Sequence, residues 1–165
     1  MYKTYYASPI GQILILTDEN ALLGLWFEDQ KYFGAGYDLE QAQQEKTEVS
    51  RRVSDWLDAY FKGENPATDE IPLAPQVTEF RSKVLTVLQK IPYGQTATYS
   101  DILRELQAEY GKIGSARAVG GAIGHNPISL LIPCHRIVGS DGKLTGYAGG
   151  LDKKDFLLKL EAGES

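Results

Sequence analysis

Cys134 is the single cysteine among 165 residues, and it stands in the tetrapeptide Pro133-Cys134-His135-Arg136 after the apolar run Ile128-Ser129-Leu130-Leu131-Ile132. A thiol in such a run is ordinarily a small buried hydrophobe. Its neighbours raise a second reading, a nucleophile. Pro133 restricts the backbone just ahead of it, and His135 and Arg136 are adjacent groups that favour a thiolate. In an extended chain successive side chains point to opposite sides, so contact between Cys134 and His135 needs a turn or a bridging water. The loop Gly139-Ser140-Asp141-Gly142 places a chain reversal close by. One cysteine makes no internal disulfide, and with two histidines it supplies too few ligands for a structural zinc site. The expectation is a protein in a reducing, cytoplasmic compartment.

Two further segments have a composition that asks for a reason. Ala116, Ala118, Gly120, Gly121, Ala122 and Gly124 leave a stretch almost without side-chain bulk, with Arg117 its one long cation. Glycine inside a helix costs about 0.5–1 kcal/mol relative to alanine. Close packing on a neighbouring helix is one account of that cost; close approach to a nucleic acid is the other. Gly146-Tyr147-Ala148-Gly149-Gly150 is either a surface turn or a lid whose backbone meets a ligand.

The elements that must hold these residues follow from periodicity. Lys3–Ala7, Gln12–Thr17 and Ala21–Phe27 read as strands joined by hairpins at Ser8-Pro9-Ile10-Gly11 and Asp18-Glu19-Asn20. Val49, Val53, Trp56, Leu57, Tyr60 and Phe61 form the apolar stripe of a helix that Gly63 ends. Residues 64–76 carry Pro66, Pro72 and Pro75 without helical period, and read as a connection between two domains, 1–75 and 76–165. The second half is mostly helical. Phe80, Val84, Val87, Leu88 and Ile91 form a stripe stopped by Pro92; Thr98 and Asp101 match a capping box for a helix from Tyr99 to about Gln107. Ser115 can cap a helix reaching Gly124, and Lys153–Glu161 forms the last. The pair 99–107 and 115–124 suggests a helix-turn-helix.

The composition is that of a globular protein, 42% hydrophobic and 24% charged. No stretch approaches the ~20 apolar residues that span a bilayer. The net charge of −5 argues against a chain held on nucleic acid by bulk charge. Residues 1–75 hold 6 Lys/Arg against 13 Asp/Glu, while 76–165 hold 11 against 9. Such asymmetry fits either a C-terminal half that meets a polyanion or an acidic, solubilising N-terminal half.

Arg117-Ala118-Val119-Gly120-Gly121-Ala122, Asn126-Pro127, Pro133-Cys134-His135-Arg136 and Gly146-Tyr147-Ala148-Gly149-Gly150-Leu151, in this order and spacing, resemble the O6-alkylguanine-DNA alkyltransferases. The resemblance is close over residues 77–161 and looser before them. It implies a ribonuclease-H-like α/β N-terminal domain of β-hairpins plus a helix. A mostly α C-terminal domain with a helix-turn-helix would follow it. It also implies direct reversal of DNA damage: an alkyl group moves from O6 of guanine, or O4 of thymine, to Cys134 after the nucleotide is flipped out of the duplex. The transfer is irreversible and consumes a monomeric protein that needs no metal or cofactor.

Residue by residue, the resemblance makes Cys134 the alkyl acceptor, His135 the group that activates it through a water, and Glu161 the carboxylate that orients His135. Tyr99 helps rotate the nucleotide and protonates the departing guanine. Arg117 fills the gap in the base stack, and Ala116, Ala118, Gly120 and Gly121 line a helix lying in the minor groove. Asn126 fixes the turn after that helix. Tyr147, Ala148 and Gly149 cover the flipped base, with Ile137 and Ser129 in the pocket wall. Three positions depart from some members. Ala148 replaces a serine whose contact uses the backbone N–H, Ser129 replaces a proline, and Gly124-His125 stands where a basic residue precedes Asn-Pro. A related reading is a lesion-binding alkyltransferase-like protein without transfer activity; such proteins replace the cysteine, which this chain keeps.

Overall fold

The structure is a computed structural model that describes residues 1–163; the last two residues of the expected 76–165 segment lie outside the described residues. By its contacts the chain divides into two compact units, one of residues 1–76 with 127–129, the other of 77–126 with the described residues from 130 onward.

The first unit is a sheet backed by a helix. Strands β1 (Tyr2–Ser8), β2 (Gly11–Thr17) and β3 (Leu22–Phe27) form an antiparallel meander, and the short β4 (Gln43–Gln44) adds to β1 in parallel, giving the order β3-β2-β1-β4. β3 and the inner part of β2 are buried on both faces, which explains their near-continuous Leu, Ile, Trp and Phe. Gly24 within β3 is there for space: a β-carbon would overlap the Trp26 ring two residues on. Trp26, Leu14, Leu16, Leu23 and Ala42 form a core cluster with Tyr37 and Leu39 packed against it. Helix α1 (Glu48–Phe61) starts at a capping box of Thr47 and Ser50 and packs Val53, Trp56, Leu57 and Tyr60 inward. The proline-rich stretch after it is not a free connection. Its residues pair with β3, where Leu22 N–H donates to the Pro72 carbonyl and Ala74 N–H to the Leu22 carbonyl. Residues 127–129 add to the same strand, with Leu25 N–H donating to the Pro127 carbonyl and Ser129 N–H to the Leu25 carbonyl.

The second unit is mostly helical. Helices α2 (Glu79–Leu88), α3 (Tyr99–Tyr110) and α4 (Ala116–Gly124) pack on one another, and α5 (Leu151–Glu161) closes the unit. Val84, Val87, Leu88, Ile102, Leu106, Val119, Ala122, Ile123 and Leu157 are among its buried apolar residues. Two dipeptide strands, β5 (Ala97–Thr98) and β6 (Ile137–Val138), pair in parallel. α3 begins at the expected box: Asp101 N–H donates to Thr98 Oγ1, and Thr98 N–H to the Asp101 carboxylate. It runs to Tyr110, three residues past the sequence expectation, and ends at Gly111. Gly114 makes the entry to α4 possible: φ is +63°, and a β-carbon there would overlap the Phe80 ring. Ser115 then caps α4 by accepting from Ala118 N–H. α5 starts two residues earlier than expected.

Candidate active site around Cys134

The turn that carries Cys134 is built by the backbone on both sides of it. Asn126 follows the C-cap of α4, His125, and Leu130, buried with φ +71°, bends the chain where a bulky side chain opposes it. Pro133, at φ −83° and ψ 63°, centres an inverse γ-turn closed by Cys134 N–H on the Ile132 carbonyl at 2.8 Å. Residues Cys134–Arg136 continue as one 3₁₀ turn, with Arg136 N–H donating to the Pro133 carbonyl at 3.0 Å. Successive side chains therefore lie about 120° apart rather than on opposite sides. The turn that Cys134 and His135 need for a shared environment is present.

Both side chains are buried, Cys134 at 7% exposure and His135 at 0%. The Asn126 side-chain amide donates to Cys134 Sγ at 3.2 Å and to the Ile132 carbonyl at 2.8 Å, tying the end of α4 to the thiol. Burial pushes the thiol up from its ordinary pKa, while the Asn126 amide and the positive charge of Lys154 pull it back down.

His135 Nε2 lies 2.6 Å from Glu161 Oε2. Glu161 is also gripped by Arg136, whose Nε donates to Oε1 at 2.8 Å and Nη2 to Oε2 at 3.1 Å, and Gly94 N–H donates to Oε1 at 3.2 Å. The remaining fork of Arg136 reaches the Ile91 carbonyl at 2.7 Å, and its guanidinium lies 5.7 Å from the Tyr93 ring centre. Because Arg136 already balances the carboxylate, burial dominates at His135 and holds its pKa below the usual imidazole range. A neutral ring that donates from Nε2 to Glu161 keeps Nδ1 as its basic nitrogen. The structure corrects one sequence expectation here. Arg136 is not a cation aimed at the thiol; it is spent on Glu161, and the cation acting on Cys134 is Lys154.

The other candidate residues fall as follows. Tyr99 opens α3, one residue after Thr98, whose strand partner is Val138 in β6; it is half-buried. Pairing of β5 with β6 thus brings the start of α3 to the chain leaving the cysteine turn. Ile137 is buried in β6, and in the 143–149 loop Tyr147 and Ala148 are half-buried while Gly149 is buried. Ala116, Arg117 and Ala118 are exposed at the start of α4, and Gly120, Gly121 and Gly124 are partly exposed. The glycines are not explained by packing within the protein, because a β-carbon added at any of the three would meet nothing within 4 Å. The bare face looks outward. Ser129 belongs to the first unit, where its hydroxyl donates to Gln30 Oε1 at 3.2 Å.

Sequence reasoning missed Lys154 and the clamp role of Arg136. Lys154, Leu157 and Glu161 are the buried residues of α5, spaced i, i+3 and i+7. That spacing was visible as a helical stripe, but a lysine in it reads by default as solvated. Among the described residues no group of three or more His, Cys, Asp or Glu is placed to hold a metal, and no helix is long and apolar enough to cross a membrane.

Comparison with known proteins adds an independent finding. The family model for the DNA-binding domain of 6-O-methylguanine DNA methyltransferase matches residues 79–163, and that for its ribonuclease-like domain matches residues 1–75. A methylated-DNA–protein-cysteine methyltransferase of Methanosarcina acetivorans is 44% identical over 98% of this chain and 98% of its own length. One from Haemophilus influenzae is 41% identical over 98% of this chain and 86% of its own. The crystal structure of a Mycobacterium tuberculosis relative, OGT in complex with DNA, superimposes with a TM-score of 0.84 at 36% identity, covering 99% of this chain and 94% of that one. With two family models spanning both halves around a cysteine turn of this geometry, the chain belongs to the methylated-DNA–protein-cysteine methyltransferase family.

Proposed function

We propose that the protein repairs duplex DNA by direct reversal, moving a methyl or other alkyl group from O6 of guanine, and from O4 of thymine, onto Cys134. The observation that carries this reading is the buried Cys134 beside a His135–Glu161 pair at 2.6 Å. A buried thiol is mostly protonated at neutral pH, so the attack needs a base. His135, oriented by Glu161 through Nε2, takes the thiol proton at Nδ1 through a water. The sulfur lone pair then forms the S–C bond while the C–O6 bond breaks and its electrons pass to the guanine. Tyr99 and the backbone N–H of Ala148 stabilise that charge as an oxyanion site does. Tyr99 gives the guanine a proton, which balances the one lost by the thiol. A thioether has no exchange reaction that restores the thiol, so one protein molecule repairs one lesion.

The alkylated base must leave the stack to reach a buried thiol, at a cost of a few kcal/mol. In this reading α3 and α4 act as a helix-turn-helix whose second helix enters the minor groove, about 6 Å wide, where a glycine face gives the closest fit. Arg117 occupies the vacated place in the stack and Asn126 holds the turn to the thiol. Tyr147, Ala148 and Gly149 cover the extruded base, with Ile137 in the wall. The protein acts as a monomer in a reducing cytoplasm, where its thiol stays free, and uses no metal or cofactor.

The experiment is a repair assay on duplex containing O6-methylguanine, with the lesion in excess. Unmodified guanine should appear in a single phase that stops at one equivalent per protein. Continued turnover past one equivalent, or binding without any repair, overturns the reading; the latter outcome is that of an inactive lesion-binding protein.

The glycine face gives a second test with opposite signs in fold and function. Gly121→Ala should stabilise the fold by about 0.5–1 kcal/mol, since alanine is the better helix former and open space receives its methyl group. Gly121→Leu should leave the fold intact and weaken duplex binding, because the bulk falls on the face that enters the groove. Thermal denaturation and fluorescence anisotropy measure the two effects. Unchanged duplex affinity in Gly121→Leu would remove this face from the interface.

A further inference from the structure

Lys154 has no part in the proton path above, yet it is among the largest fully buried side chains of the protein, with 0% exposure. α5 explains its burial. Glu161, at the end of the helix, grips His135 and Arg136, and Lys154 lies two turns earlier on the same buried face, about 10 Å along the axis. α5 packs on the 3₁₀ turn of residues 134–136, the turn that holds Cys134, and Lys154 lies on the face of α5 that is buried in this packing. Its ammonium donates to the Thr145 carbonyl at 3.1 Å, at the root of the loop that holds Tyr147, Ala148 and Gly149. A neutral carbonyl is a poor counterpart for a buried charge. The charged and titratable groups around it are Cys134 and His135 from the turn and, farther along α5, Glu161 with its partner Arg136. Glu161 is already balanced by Arg136, which leaves the thiol as the group able to supply a negative charge.

We propose that Lys154 is a positioning residue for alkyl transfer, holding a fixed positive charge beside Cys134 that favours the thiolate while anchoring the 143–149 loop through Thr145. The purpose of this role rests on the transfer reaction proposed above. With the thiol protonated, the ammonium is a buried charge facing neutral groups. When the proton leaves for His135, thiolate and ammonium form a neutral pair. Lys154 keeps its own proton throughout. One charge interaction acts on both groups: the lysine charge pulls the thiol pKa down, and the thiolate opposes the lowering of the lysine pKa by burial. The same charge acts on His135 and helps keep it neutral, as a base must be before it accepts a proton.

The test uses iodoacetamide, which reports thiolate formation without DNA or transfer activity, and Cys134 is the one thiol that can react. Lys154→Met keeps the length and burial of the side chain and removes the charge. Its alkylation at pH 7 should be roughly tenfold slower, with the midpoint of the pH profile moved to higher pH. Lys154→Arg should bring the midpoint back. A merely structural lysine would leave the midpoint unmoved in both variants, and that result overturns the proposal. A measurement on unmutated protein stands beside it in case Lys154→Met does not fold. With ¹⁵N-labelled lysine, the Lys154 ammonium should titrate at lower pH after Cys134 is methylated, because the thioether removes its counter-charge. An unchanged titration overturns the assignment as well. A shifted iodoacetamide profile in a protein that fails the repair assay would leave Lys154 in place and sink the transfer reading alone.

Discussion

Glu161→Ala is expected to lower the stability of the fold by about 3–5 kcal/mol, the cost of removing one partner from a buried ion pair. Its side chain is 1% exposed and accepts from three directions, the His135 ring, the Arg136 fork and Gly94 N–H. Removing it leaves the Arg136 guanidinium, 10% exposed, hydrogen-bonded to the Ile91 carbonyl without a balancing carboxylate. Arg136 also spans from the cysteine turn to the turn directly after α2, so its release loosens the support of the cysteine turn itself. Transfer should fall with stability, because His135 loses the acceptor that fixes its tautomer. Glu161→Gln should be milder in denaturant and still slow in transfer, since an amide oxygen accepts but carries no charge to orient an imidazolium. Chemical denaturation and single-turnover rates on the same preparations separate the two effects. A Glu161→Ala protein as stable as the parent would mean that Arg136 finds another counter-charge and that the network is not the clamp described. The pH dependence has a defined sign. Burial holds His135 below its unfolded pKa of about 6.5, so the unfolded chain takes up the proton first as pH falls. This group's contribution is present above that pH and is lost as pH drops toward the folded value.

Cys134→Ala is expected to abolish transfer completely while leaving duplex affinity within a few-fold of the parent. The sulfur is the sole nucleophile in the account, and alanine offers none. The exposed face of α4 that carries Arg117 and the glycines is unchanged by the substitution, and so are Asn126's bond to the Ile132 carbonyl and the His135–Glu161 pair. The loss to stability is that of one small buried group, on the order of 1 kcal/mol. Cys134→Ser keeps a hydrogen-bonding atom for Asn126 and should be as inactive, because a hydroxyl beside a neutral imidazole in this site is not deprotonated to the extent a thiol is. Anisotropy with O6-methylguanine duplex and a repair assay on the same variant provide the pair of readings. Residual transfer in Cys134→Ala would place the acceptor elsewhere. Loss of binding together with transfer would mean the thiol is a packing residue for the interface rather than a reacting group.

Local rules carried much of this site in the sequence. The Thr98–Asp101 box, the Ser115 cap and the stripes of α1 and α2 are short-range patterns, and the structure follows them. The turn at Cys134 was legible only in part. Pro133 marked a constraint, but the γ-turn and the 3₁₀ turn after it depend on Leu130 adopting a positive φ, which no leucine announces. The glycines of α4 left two accounts open, because composition states that bulk is missing and not which neighbour profits; the open space around them removes packing within the protein as their reason. Arg136 looked like a cation for its neighbour in sequence, whereas Glu161, 25 residues on, outcompetes it through two charge-assisted bonds. Lys154 was hidden for the opposite reason. A lysine is read as solvated by default, and its burial follows from the helix face shared with Glu161 across two turns. The proline-rich stretch 64–76 read only as a connection between domains, because its pairing partner, Leu22, lies some fifty residues earlier.

The central claim is that Cys134 itself receives the alkyl group and keeps it. Intact-protein mass spectrometry after incubation with excess O6-methylguanine duplex, followed by peptide mapping, measures this directly. The account predicts a gain of one methyl mass per molecule, carried entirely by the peptide containing Pro133-Cys134-His135-Arg136, with no further gain on longer incubation. A methyl group on any other residue, or repaired DNA alongside protein of unchanged mass, would contradict it.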